Sequence, residues 1–129
     1  MDRFGGIHIA CNHAGVITGG LLWEESLAYY QWLMDVNLWG VVHGIRSFVP
    51  RMLRQDGDCH IVNTPSMAAL TAMPYTGIYT MTKHAVLALS ETLHHELAFN
   101  APKLKVSVLC PEAINTGITA AERNRPERY

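Results

Sequence analysis

The sequence has no excess of charge of either sign: 10 Lys plus Arg stand against 11 Asp plus Glu, a formal net charge of −1. So balanced a chain argues against nucleic acid or an anionic membrane as the main partner, since either favours a basic patch. Arg123, Arg125 and Arg128 do gather near one end, but Glu122 and Glu127 sit among them. Residues 119–129 are therefore expected to form a solvated, frayed tail. Long apolar runs are also lacking, each being broken by charge or glycine well short of the roughly 20 residues a spanning helix needs. Cysteine is scarce. Cys11, Cys59 and Cys110 form no C-x-x-C pair, and with no secretory signal they are expected to be reduced thiols in a cytoplasmic protein. Seven histidines raise the question of a metal. There is no H-E-x-x-H, however, and the adjacent His94 and His95 would point about 100° apart on a helix, so no metal site is expected.

What is present is a globular composition, with 49% apolar and 16% charged residues. At 129 residues the chain is long enough for one domain with a sizeable core and too short for two. The run "GIHIAC" reads as a buried strand entering the turn "NHAG". Ser26 is a candidate N-cap for a long helical pattern through Gln55, in which Leu33, Val36, Leu38, Val41, Ile45, Phe48 and Met52 recur at helical intervals. Pro50 is expected to end or bend that helix near its last turn. "QDGD" is a turn, "CHIVNT" a second strand, "LTAMPYTG" a loop, Ile78 to Phe99 a second helix, and "KVSVLC" a third strand. Short apolar strands alternating with long helices predict an α/β fold with a parallel sheet covered on both faces. Three strands make a small sheet with open edges, which suggests part of something larger.

Ser66, Tyr79 and Lys83 follow the second strand. Tyr79 and Lys83 are four residues apart, hence on one face of a helix about one turn apart. A phenol ordinarily titrates near 10, too high for efficient acid/base work at neutrality. A cation 4 Å away at an effective dielectric of about 20 stabilises the phenolate by roughly 4 kcal/mol, enough to bring it into working range. Taken alone, the pair reads more readily as an exposed helix pair. Ser66 adds weight because ligands of open α/β sheets bind beyond the carboxyl ends of the strands, although a hydroxyl there also serves as a strand-end cap.

"CNHAG", "DVNLWGV", "HIVNTPSMAAL", "YTMTK" and "VSVLCPEAINTGI" occur in the order and spacing of the short-chain dehydrogenase/reductase family, which the chain resembles from about Ile7 to Ile118. The resemblance implies a partial Rossmann-like doubly wound parallel sheet of three strands and two long helices. It also implies a cytoplasmic oxidoreductase using NAD or NADP on a small-molecule alcohol or carbonyl substrate. By resemblance Tyr79 is the acid/base, Ser66 orients the substrate and Lys83 binds the nicotinamide ribose. Asn37 would hold a proton-relay water; a mid-helix Asn also reads as a helix bend. Asn12, Ala14, Gly15, Ile114 and Thr116, with Tyr79 and Lys83, are the implied cofactor-binding residues.

The family's T-G-x-x-x-G-x-G turn does not occur in these 129 residues. The N-terminal βαβ cofactor half is thus expected to be missing, and the isolated chain to be inactive with no measurable NAD(P) affinity. His13, Pro65, Ala69 and Glu112 also depart from the family pattern, Glu112 with expected strain if its φ is positive. The family pairs its two long helices in oligomers, so Trp39, Val42 and Leu87 to Leu89 are candidates for a homo-oligomer contact or for the chain's own core. The alternative function is a non-catalytic remnant acting only through that contact.

Overall fold

The computed structural model describes residue 3 and residues 5–129. Ser26 accepts a hydrogen bond from the Tyr29 amide and opens helix α1, Leu27–Leu33. A π-helical segment, Met34–Trp39, leads without a break into α2, Gly40–Arg54. The expected helix bend at Asn37 thus takes the form of a widened turn. Pro50 does not end the helix. It lies inside α2, which runs one further turn to Arg54, so the helix continues past the hydrogen bond that the missing proline donor cannot make. Gly57, at φ +88°, makes the turn that follows.

Strands β1 (Ile9–Asn12), β2 (Cys59–Asn63) and β3 (Leu104–Val108) form one sheet in the order β1-β2-β3, both pairs parallel. Ala10, Ile61 and Val106 stand abreast, as do Asn12, Asn63 and Val108. The second crossover carries a short 3₁₀ turn, Met67–Ala69, and helix α3, Gly77–Asn100.

Two crossovers that step the same way across a sheet, both right-handed, must lie on the same face. They do: Met52 of α2 and Leu93 and Leu97 of α3 pack with Ala10, Cys59, Ile61 and Leu104, all of one strand parity. The sequence predicted cover on both faces, but among the described residues only one face is covered. On the other, Ile9 is 69% exposed and Cys11, Lys105 and Ser107 also meet solvent. Cover on that side would have to come from a connection running the opposite way, which these three strands do not contain.

A second cluster joins Val16, Trp32, Leu33, Ile78, Tyr79 and Ala121. Ala121 comes from 3₁₀ turns at Gly117–Asn124, so residues 119–129 are not frayed as expected. Arg125 lies 5.1 Å from the Tyr29 ring centre, and the Tyr129 hydroxyl donates to Asp35 Oδ2 at 2.5 Å. That hydroxyl, then the Gln31 amide, holds the Asp35 carboxyl below its ordinary range. Cation–π and charge-assisted contacts, invisible in composition, anchor a segment whose charges alone suggested solvation.

An apolar groove of about 570 Å³ runs between the long helices on their outer side, with Leu38, Trp39 and Val42 on one wall and Ala88 and Leu89 on the other. Leu87 is half-buried and does not line it. No helix among the described residues is long and apolar enough to cross a membrane.

Trp32 is only 1% exposed and sits in the second cluster, which brings together α1, the start of α3 and the C-terminal turns. Trp32→Ala is expected to lower unfolding free energy by about 3–5 kcal/mol, read as a fall in the urea midpoint at unchanged slope.

Candidate active site

All three strands end at the same side of the molecule, and their following loops are tied together there. Thr64 N donates to Asn12 O at 3.0 Å, Leu109 N to Asn63 O at 2.9 Å and Met67 N to Pro111 O at 3.0 Å. The first turns of α3 reach the same edge, carrying Tyr79 and Lys83. Aligned parallel strands leave their C-terminal backbone groups and loops as the natural crevice of such a sheet.

Lys83 is 4% exposed. Its ammonium donates to the Thr64 carbonyl at 3.0 Å and stands 5.4 Å from the centre of the Tyr79 ring. Burial lowers its pKa from 10.5 to about 8, because the charged form loses hydration. Thr64 O is the one protein acceptor it has among the described residues, leaving two of its three N–H donors for a ligand or water. Tyr79 is 8% exposed, its ring packed with Val16, Trp32 and Ile78. Among the described residues its hydroxyl has no hydrogen-bond partner, although no fully buried polar side-chain atom is left unsatisfied. That hydroxyl therefore sits at the open end of an apolar wall.

Asn37 is 1% exposed and bonded at both ends of its side-chain amide. Its Oδ1 accepts from Val16 N at 2.8 Å, and its Nδ2 donates to Val16 O at 2.9 Å and Thr82 Oγ1 at 3.0 Å. The side chain fastens the loop after β1 to both long helices, and both of its amide protons are used. Gly15 lies beside it: a Cβ there would stand 3.3 Å from Lys83 Nζ and 3.6 Å from Asn37 Oδ1. Gly15, Asn37 and Lys83 thus converge, and the bare glycine leaves the ammonium approachable.

Ser66 follows β2 as expected. Its Oγ accepts from Ala68 N at 3.2 Å, capping the 3₁₀ turn, and makes a long 3.5 Å contact to Pro111 O. It makes no hydrogen bond to Tyr79 or Lys83 among the described residues, though α3 packs against the turn it caps. Asn12 turns inward, its Nδ2 donating to Asn63 Oδ1 at 2.8 Å. Ala14 is exposed and borders a cleft of about 160 Å³ with His13, Val36 and Val41. Ile114 is 63% exposed, and Thr116 accepts from Ile118 N at 3.4 Å, both on the segment after β3. Glu112 carries no left-handed strain; Tyr75, at φ 65°, is the one described non-glycine residue with positive φ.

Several participants escaped the sequence reading. Thr82 bridges Asn37 and the Tyr79 carbonyl, to which it donates at 2.8 Å. Asn63 and Ser90 are buried and bonded to each other at 2.9 Å. A polar residue at the last buried position of β2 and another two turns beyond Lys83 were the available signals. Among the described residues, no three His, Cys, Asp or Glu side chains gather where a metal ion could be held.

Known proteins resemble this chain over most of its length. The family model for short chain dehydrogenase matches residues 1–127. The chain is similar to 1-deoxy-11-beta-hydroxypentalenate dehydrogenase of Streptomyces avermitilis, 40% identical over 92% of this chain and 44% of that protein. It is similar to a short chain dehydrogenase/reductase from Burkholderia phymatum crystallised with NAD, with TM-score 0.96 and 48% identity over 98% of this chain and 45% of that one. An alcohol dehydrogenase of Thermococcus sibiricus complexed with 5-hydroxy-NADP superposes with TM-score 0.83 at 27% identity, covering 98% of this chain and 51% of that one. The chain thus spans about half the length of the relatives it matches.

Burial of Lys83 predicts a specific pH dependence. Below pH 8 the ammonium is charged in both states, and the native state carries the full cost of burying it. Above 8 it loses its proton in the native state while the unfolded chain keeps its own up to 10.5. The unfolded state then binds more protons, so stability rises with pH across that window, by about 3 kcal/mol in all. Urea titrations of the parent and Lys83→Met should differ by this rise between pH 8 and 10.5; parallel curves would show the ammonium to be solvated.

Proposed function

This chain belongs to the short chain dehydrogenase family, and on that premise we propose that its crevice is the proton-transfer side of a site that interconverts an alcohol and a carbonyl with NAD or NADP. The observation that carries this reading is the buried Lys83 ammonium beside Tyr79, whose hydroxyl has no protein partner among the described residues. A phenol hydroxyl left free of protein partners at the open end of an apolar wall is poised for a ligand's oxygen.

In the oxidation direction the substrate hydroxyl gives its proton to the Tyr79 oxygen as the carbonyl forms; in reduction Tyr79 returns it. Lys83, titrating near 8, is predominantly an ammonium at neutral pH and holds its charge beside the Tyr79 ring. Ser66 orients the substrate oxygen from the loop after β2. With its amide protons committed to Val16 and Thr82, Asn37 acts chiefly by holding the 15–16 loop beside Lys83, and its remaining Oδ1 lone pair is the place for a relay water. The hydride is what a bound nicotinamide dinucleotide would supply or accept.

The residues present fit the nicotinamide end of such a cofactor. Gly15 leaves room against the Lys83 ammonium, whose spare donors suit a ribose diol. Asn12 contributes by shaping the β1 loop, and Ala14, Ile114 and Thr116 line the approach from the β1 and β3 loops. The relatives crystallised with NAD and with 5-hydroxy-NADP support this assignment, which leaves NAD and NADP equally open. The apolar helix groove supports a homo-oligomer, with a second copy laid against Trp39, Val42, Ala88 and Leu89.

A chimera tests the catalytic reading. These residues replace the matching 45% of the Burkholderia phymatum protein, with which they share a TM-score of 0.96, and the product is assayed on an alcohol and ketone panel with both cofactors. Tyr79→Phe should reduce turnover by about 10²–10⁴-fold while cofactor affinity stays within about threefold; near-parental turnover removes Tyr79 from this role. In the same protein Ala88→Arg should yield a smaller species by light scattering, an unchanged mass ruling the helix groove out as the contact.

A further inference from the structure

Two consecutive residues at the end of β2 each hold a different turn of α3. Asn63 Nδ2 donates to Ser90 Oγ at 2.9 Å, and the Thr64 carbonyl accepts from Lys83 Nζ at 3.0 Å. Lys83 and Ser90 are two helical turns apart and so lie on one face. The two grips differ in stiffness. Lysine reaches its acceptor through four flexible methylenes, so its bond alone does not fix where the helix sits along the strand. Asparagine and serine are short, and theirs does.

The short grip is held from behind. Ser90 Oγ donates to Val86 O at 2.6 Å, which turns its lone pairs toward Asn63. Asn63 Oδ1 accepts from Asn12 Nδ2 at 2.8 Å. Asn12 in turn lies against α2 at Gly44, where a Cβ would stand 2.0 Å from its Oδ1. Asn63 and Ser90 are 0% and 1% exposed, so neither can exchange its partner for water.

We propose that Asn63 and Ser90, backed by Asn12 and Gly44, are positioning residues that set the register of α3 on β2 and thereby keep the Lys83 ammonium on the Thr64 carbonyl beside Tyr79. The chain runs β1–β2–α3 through side chains alone and ends on the helix that carries both Tyr79 and Lys83. A slip of α3 along β2 would break the Asn63–Ser90 bond first and then move Lys83 away from Thr64. The proposal deepens the catalytic reading above but does not need cofactor or substrate to be tested.

The test is a titration of Lys83 by NMR in the 129-residue chain labelled at the lysine side chains, with Tyr79 the titratable group recorded against it. The parent midpoint is expected at about 8. In Ser90→Ala it should move up by about one pH unit, because a loosened ammonium regains water. Gly44→Ala, which pushes Asn12 off Asn63 from outside the pair, should move it the same way and serves where Ser90→Ala does not fold. Met52→Ala, a core truncation touching none of these groups, should lower stability and leave the midpoint in place. An unmoved midpoint in Ser90→Ala or Gly44→Ala, or an equal shift in Met52→Ala, overturns the proposal. Failure here leaves the role of Tyr79 standing, and loss of that role leaves this coupling intact.

Discussion

A lysine ammonium kept almost wholly out of water, held among the described residues by the Thr64 carbonyl, is what the crevice is arranged around. A buried charge persists only where geometry fixes its partner. Thr64 O can be that partner because it lies just past the last paired residue of β2, where the strand's carbonyls no longer have a ladder to join. Gly15 and Asn37 complete the surround, one by having no side chain and the other by tying the β1 loop to the helices. The result is an ammonium that is dehydrated yet still approachable from one side.

The sheet makes this possible by bringing three strand ends to one edge. Because the strands are parallel and ordered β1-β2-β3, every loop that leaves a C-terminal end arrives in the same place. The widened π-helical turn at Met34–Trp39 lets Asn37 face the β1 loop from within a long helix. At the far side of the second cluster, Arg125 and Tyr129 bring the end of the chain onto α1, so that Ala121 can join the apolar wall behind Tyr79.

Much of this was legible in the sequence. The three strands and the two long helical stretches follow from apolar period and turn residues, and Ser26 reads as a cap and is one. Pro50 misled because a proline's effect depends on whether its lost bond falls inside the helix or near its end. The fate of residues 119–129 misled because Arg125 finds the Tyr29 ring and Tyr129 reaches Asp35, contacts set by distance in space and absent from any local pattern. Asn63 and Ser90 look like a strand-end polar and a helix serine; only their burial against each other marks them.

The amino-acid sequence by itself determined which segments are strand or helix, that the strands would be parallel, and that Tyr79 and Lys83 share a helix face. Each follows from local periodicity and from the length of the connections. Which face of the sheet is covered, where the Lys83 ammonium finds its acceptor and which polar side chains are spent inside the protein were decided only by tertiary structure. Those outcomes depend on crossover handedness and on pairs of groups far apart along the chain, such as Asn12 with Asn63 and Val16 with Asn37. Until the chain folds, nothing in the local pattern distinguishes a polar side chain that will be enclosed from one that will remain in water.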